Sequence, residues 1–166
     1  MQKIYSVWIC ALVSFIFSLQ AHGQVYTGGS FGVHFENGNY YVDAAPLLGY
    51  RYKMIDMGIS PFFAYREYKD RPDAWSFGNR VFTQVTFMPN VFAHAEFELS
   101  NIETNVIGSD GKRERKWIMG LPVGGGYRYR LSSNAEAYGL ILYDVLLDKD
   151  SPVKNPIIRG GVVYNF

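Results

Sequence analysis

The sequence predicts an all-β protein: an eight-stranded antiparallel up-and-down transmembrane β-barrel preceded by a cleavable signal peptide. Three observations carry this. Beyond residue 23, apolar and polar residues alternate with period two along almost the whole chain. The aromatics, 17% of all residues, fall in bands at the ends of the alternating segments. Finally, the chain stops on "GGVVYNF", an aromatic inside a strand pattern, where most soluble chains trail into a polar tail.

A chain of 166 residues is enough for one domain. Sixteen basic residues against fifteen acidic ones leave a formal charge of +1, which argues against a nucleic-acid partner. Residues 1–23 read as a secretory signal peptide. Lys3 is its only charge, an apolar run extends from Val7 to Leu19, and Ala21-His22-Gly23 supplies small residues at the cut. The run is short of the roughly 20 apolar residues that a spanning helix needs. Residues 24–166 then form the barrel domain. Cys10, the only cysteine, sits in the leader without the small residues that a lipidation site requires, so the mature domain carries no thiol chemistry.

The first segment, about 25–36, puts Val25, Thr27, Phe31, Val33 and Phe35 on one face. The second, about 40–52, puts Tyr40, Val42, Ala44, Leu48, Tyr50 and Tyr52 there, and the third, about 55–67, Ile55, Met57, Ile59, Phe63 and Tyr65. The fourth, about 77–88, offers Phe77, Val81, Val85 and Phe87; the fifth, about 91–100, Val91, Ala93, Ala95, Phe97 and Leu99. The sixth, about 114–130, contributes Trp117, Met119, Leu121, Val123, Tyr127 and Tyr129. The seventh, about 135–147, contributes Ala137, Ile141, Tyr143 and Val145, although Tyr138, Leu140, Leu142 and Leu146 make its other face unusually apolar. The eighth, about 156–166, holds the terminal stretch. Tight connections near 53–54, 88–90 and 132–134 alternate with longer polar ones at 68–76, 101–113 and 148–156, and "NGN" at 37–39 closes the first hairpin.

The opposite faces carry His34, Glu36, Asp43, Arg51, Arg66, Arg80, His94, Glu96, Glu98, Arg128, Arg130, Asp144 and Arg159, with Asp56, Ser60, Gln84, Lys116 and Glu136 among them. A soluble sandwich or a lipocalin-like barrel would bury its apolar face. Here two aromatic rows flank an aliphatic belt on that face. Tyr50, Tyr52, Phe87, Tyr127, Tyr129, Tyr164 and Phe166 lie next to the tight turns or the C-terminus; Phe35, Tyr40, Tyr65, Phe77, Phe97 and Trp117 lie next to the other loops. Such girdles suit a membrane's two interfaces. The charged faces then point into the lumen and pair with one another, and an even strand count closes the sheet so that no edge meets hydrocarbon. Short turns face the periplasm in this class, which puts both termini there and the long loops outside.

On these features, residues 24–166 resemble the small eight-stranded outer-membrane proteins of the OmpX and OmpA-barrel kind. The resemblance implies a bacterial outer-membrane location, contact with outer-membrane lipids and lipopolysaccharide, and recognition by the barrel-assembly machinery. The terminal aromatic Phe166, with Tyr164, Val162 and Ile158 at alternate positions before it, matches the family's assembly signal; Gly160 takes the remaining position.

No catalytic, cofactor or metal site is predicted. Some small barrels modify lipids, and the lipid A deacylases carry His-x-Ser-Asn on a strand. In "HAEFELSN" Ser100-Asn101 lies six residues from His94, so that pattern fails. His94 and Glu96 lack a third metal ligand. Gly124, Gly125 and Gly126 follow no strand-to-helix transition, so they are read as relief of crowding in a curved strand. "SDGKRER" at 109–115 is a charged loop tip suited to lipopolysaccharide phosphates or to solvent. The expected function is structural, or an interaction with an extracellular partner through the outer loops. The alternatives are a narrow channel for ions or small solutes and a lipid-modifying enzyme.

Overall fold

A computed structural model describes residues 23–36, 39–69, 72–107, 113–148, 151 and 153–166. Most of the expected leader, Cys10 included, lies outside the described residues, as do the 37–38 turn and residues 108–112 of the charged loop tip. Nine extended runs make up the sheet: β1 (Gln24–Glu36), β2 (Asn39–Tyr52), β3 (Ile55–Glu67), β4 (Ala74–Met88), β5 (Val91–Ile107), β6 (Arg113–Gly120), β7 (Pro122–Arg130), β8 (Ala135–Asp144) and β9 (Ile157–Asn165).

β6 and β7 are one strand of the barrel. Both run antiparallel to β5 in a single register, with Glu98 opposite Gly120 and Ala95 opposite Val123. The interruption falls at Leu121-Pro122, where Pro122 has no N–H to give to the ladder. Counted this way there are eight antiparallel strands, and the sheet closes because β1 pairs with β9 and β4 pairs with β5. The Phe166 N–H donates to the Val25 carbonyl at 3.2 Å, so the last residue is tied to the first strand.

Burial follows the period-two expectation with its sign reversed relative to a soluble protein. Along β3, Met57, Ile59 and Phe63 are exposed, while Asp56, Ser60, Phe62 and Ala64 are buried. The outward faces are aliphatic at mid-height and aromatic toward the ends, where Phe35 packs edge-on against Tyr40, Phe77 against Trp117, and Tyr164 against Phe166. Phe97 departs from the expected banding. It pairs with Val81 in the middle of β4–β5, because β5 runs seven residues beyond the predicted end. β4 likewise starts three residues early, at Ala74. β8 stops at Asp144, so Leu146 is exposed rather than lumenal.

The lumen contains a recurring contact that explains the glycine content. Tyr26 lies opposite Gly49, Phe82 opposite Gly58, Phe62 opposite Gly78, Phe92 opposite Gly126 and Tyr138 opposite Gly161. In each pair the ring covers the space that a Cβ would occupy; a Cβ on Gly49 would sit 2.2 Å from the Tyr26 ring. A narrow barrel has to curve tightly and still fill its interior. Laying a ring flat over a bare backbone position does both and shields the ladder beneath it.

Candidate functional site

The filled lumen is the only concentration of buried charge among the described residues, and two clusters form it. In the first, Arg80 from β4 bonds Asp43 of β2 at 2.9 Å and Glu98 of β5 at 2.8 Å. Arg159 from β9 bonds Glu96 and reaches Glu98 at 3.3 Å. Both guanidinium groups are almost fully buried, and Arg80 also stacks over the Phe62 ring at 4.0 Å. Charges this buried persist only when paired and hydrogen-bonded, which two arginines shared among three carboxylates achieve.

The second cluster lies nearer the tight turns. Arg51 bonds Asp56 at 2.9 Å and Glu136 at 3.2 Å, and Arg128 bonds Asp56 at 2.8 Å and approaches Glu136 at 3.5 Å. The clusters are joined side chain to side chain. Arg128 Nη2 donates to Gln84 Oε1 at 2.8 Å, Gln84 Nε2 lies 3.0 Å from His94 Nδ1, and His94 Nε2 lies 3.1 Å from Glu96 Oε2. The Phe82 ring stacks on His94. A cavity of about 480 Å³, counting its openings, separates the two clusters beside Tyr26, Tyr138 and Leu140.

The expected lumen residues thus divide. Asp43, Arg51, Arg80, His94, Glu96, Glu98, Arg128 and Arg159 are brought together in this network. Asp144 is buried but serves the backbone: its Oδ1 accepts the Leu121 N–H at 2.9 Å and the Leu146 N–H at 3.1 Å. Arg130 is exposed at the turn end of β7. His34 is half-buried, with Nε2 lacking a hydrogen-bond partner among the described residues. Arg66 lies near the loop end with its guanidinium over the Tyr68 ring at 4.9 Å. The Glu36 side chain lies outside what is described. Ile158, Val162, Tyr164 and Phe166 all face outward and exposed along the end of the chain.

Three parts of the site need the register to be seen. Asp56, Gln84 and Glu136 complete the second cluster, yet in sequence they are only polar residues on alternating faces. The ring-over-glycine pairs depend on which strands meet. Val153, in the β8–β9 connection, packs among Tyr41, Ala45, Phe62 and Ala64 and against the cluster of Phe92, Leu140, Leu142 and Ile157, so the connection dips into the lumen. Ser100 gives its hydroxyl hydrogen to Glu98, and no hydrogen bond joins it to His94. Around the loop-end rim, Arg115 bonds Glu103 at 2.8 Å and Asn101, and Arg113 donates to the Asp73 carbonyl at 2.8 Å.

No family model matches the sequence, and no curated protein matches it. Solved structures do resemble the fold. Neisserial surface protein A is similar at a TM-score of 0.52, with 16% identity over 87% of this chain and 97% of that one. The N-terminal β-barrel domain of Pseudomonas aeruginosa OprF is similar at 0.45, with 18% identity over 87% of this chain and all of the domain. The attachment invasion locus protein Ail of Yersinia pestis, solved with the heparin analogue sucrose octasulfate, is similar at 0.45, with 16% identity over 87% of this chain and 97% of that one. With eight strands closed into one antiparallel barrel, apolar outside and charged within, the chain has the fold of the small eight-stranded outer-membrane β-barrel proteins.

Proposed function

We propose that the chain is an integral outer-membrane protein with a closed lumen, acting structurally or by binding an envelope or extracellular partner through its loop end. The observation that carries this is the lumen itself. Eight strands leave an interior just wide enough for side chains to fill. Here the joined clusters of Arg80, Arg159, Arg51 and Arg128 fill it, and Val153 packs from the β8–β9 connection onto the lumen rings of Tyr41 and Phe62. On this reading the tight turns and both termini are periplasmic, and lipopolysaccharide surrounds the loop end. Ile158, Val162, Tyr164 and Phe166 form the strip that the assembly machinery reads. The outward row of exposed Val81, Phe97, Ile141 and Val162 supports burial in lipid, since hydrocarbon accepts that surface and water does not.

Conductance of the refolded protein in a planar bilayer tests the reading. A silent membrane holding verified folded barrel is the expected result, and discrete reproducible steps would make the protein a channel. The cavity between the clusters is what favours that second reading. It places Arg51 and Arg128 beside open space, so if steps appear, their size should change on Arg128→Ala.

A further inference from the structure

The outer face of β2, β3 and β4 carries an irregularity inside the apolar belt. The β2–β3 register pairs Ala44 with Phe63 and Leu48 with Ile59, which sets Pro46 opposite Pro61, yet the positions between those pairs are not bridged. Even-numbered residues on this run bond toward β4: the carbonyl of Met54, just before β3, accepts the Thr86 N–H at 2.8 Å, so odd-numbered Pro61 directs its backbone toward β2. Pro46 and Pro61 therefore meet where each would give an N–H to the other, and neither has one. From the lumen side the Ser60 hydroxyl donates to the Pro46 carbonyl at 3.0 Å and replaces one lost bond. No side chain among the described residues does the same for the Pro61 carbonyl.

Asn79 stands beside Pro61 across the β3–β4 ladder. Between Phe77 and Phe87, the outward residues of β4 are Asn79, Val81, Thr83 and Val85. Thr83 turns its hydroxyl back onto the wall and donates to the Asp56 carbonyl at 3.3 Å. Asn79 is exposed, and its amide makes no hydrogen bond among the described residues. Around it on the outer face stand Pro61, Leu99 and the rings of Phe63, Phe77 and Phe97. Charge begins one row higher, where the Arg115 guanidinium lies over the Phe77 ring at 5.0 Å and Asn101 faces Phe77 across the ladder. That row is about 6.6 Å away along the strand at roughly 3.3 Å per residue, farther than an asparagine side chain reaches. Water would satisfy such an amide on a soluble protein. Hydrocarbon does not, and a polar group left there is costly and seldom without function.

We propose that this face self-associates: two copies, both upright in the membrane, meet through Asn79 about a two-fold axis along the membrane normal. A side-chain amide is self-complementary, so each Asn79 donates to the other's Oδ1 and accepts in return. The N–H left over on each amide has a donor-less acceptor nearby in the Pro61 carbonyl. The three phenylalanines supply the apolar surround that keeps a polar contact dry. Lipid is the poorer occupant, because its polar groups stop at the Phe77 row. The proposal rests on the reading that the barrel spans a membrane.

The test first checks insertion by flotation with phospholipid vesicles, then measures self-association by sedimentation equilibrium in density-matched micelles. The expected result is a monomer–dimer equilibrium that follows the protein-to-detergent ratio. Asn79→Leu suits lipid better than the amide does, so it should still insert, and it should weaken the dimer about tenfold. Val162→Leu, on the opposite flank of the barrel, should leave the dimer unchanged. Inserted protein that sediments as a monomer at every ratio would overturn the proposal and leave the membrane reading standing, and so would a dimer that Asn79→Leu does not weaken. Monomers that keep one lipid in native mass spectrometry, and lose it on Asn79→Leu, would assign the amide to lipid and overturn the second copy. Protein that fails to float with the vesicles would overturn the membrane reading itself, and the proposal with it.

Discussion

Gln84 Nε2 lies 3.0 Å from His94 Nδ1, and this contact fixes which nitrogen of the ring carries hydrogen. The Arg128 guanidinium can only donate, so the Gln84 oxygen must face it and the Gln84 nitrogen must face His94. His94 Nδ1 is then the acceptor, and Nε2 donates to Glu96. An obligate donor on β7 and an acceptor carboxylate on β5 thus require the same tautomer of His94.

With ¹⁵N-labelled histidine, His94 should therefore show an unprotonated Nδ1 and a protonated Nε2 at neutral pH. Arg128→Ala frees Gln84 to turn over, but the Glu96 carboxylate can only accept and still holds hydrogen on Nε2, so the other tautomer should appear only when Glu96→Ala is added. A protonated Nδ1 in the unmodified protein would break the relay.

Charge on the outer face should be penalised by depth. Val81 pairs with Ile59 and Phe97 at mid-height, whereas Val85 is three residues from the end of β4. A lipid-facing arginine costs about 2–4 kcal/mol at the bilayer midplane and about 0–1 near the interfaces. Val81→Arg should block folding into vesicles, judged by heat-modifiable migration, and Val85→Arg should impair it less. Unimpaired folding of both would contradict the inside-outside assignment.

Glycines beneath lumen rings should not tolerate a methyl group. A Cβ on Gly126 would stand 2.4 Å from the Gly139 carbonyl and 2.7 Å from the Phe92 ring, while one on Gly139 would meet nothing within 4 Å. Overpacking of this kind costs roughly 1–3 kcal/mol, so Gly126→Ala should lower the urea midpoint. Gly139→Ala should stay within about 0.5 kcal/mol of the parent.

The two arginine clusters should differ in how much they resist substitution. Arg159 is 3% exposed, and its removal leaves Glu96 with the His94 ring nitrogen at 3.1 Å and, as its only cation, Arg80 at 3.9 Å. Stranding a buried charge in this way costs about 3–5 kcal/mol. Arg51 is 18% exposed, and Asp56 keeps Arg128 at 2.8 Å after its loss. Unfolding titrations of Arg159→Ala and Arg51→Ala should show a clearly larger loss for the former.

The barrel was legible in the sequence because lipid enforces the alternation: wherever a strand crosses hydrocarbon, every second residue must be apolar. The same cause explains where the reading stopped short. In the outer part of β5, Asn101 and Glu103 take outward positions, paired with Arg115 rather than with lipid, so the alternation ends while the strand continues to Ile107. β8 ended early for a local reason: the Asn155 side chain takes both backbone groups of Asp144, accepting its N–H and donating to its carbonyl, where the next ladder pair would form. The alternation marks which positions share the polar face, but it does not say which of those charges meet. Nothing along the chain says that Arg159 meets Glu96 across 63 residues; only closure of β9 onto β1 does.

The strands are of unequal height. β5 has 17 residues and β9 has nine, a difference of about 25 Å along the strand at roughly 3.3 Å per residue. The loop-end rim is therefore a slanted collar, raised into a parapet over β4, β5 and β6 and cut down over β8 and β9. A molecule of that shape is not rotationally equivalent about its own axis. Anything that docks on the parapet sees it from one azimuth only, and neighbours packed around the barrel will be sorted by which flank they meet.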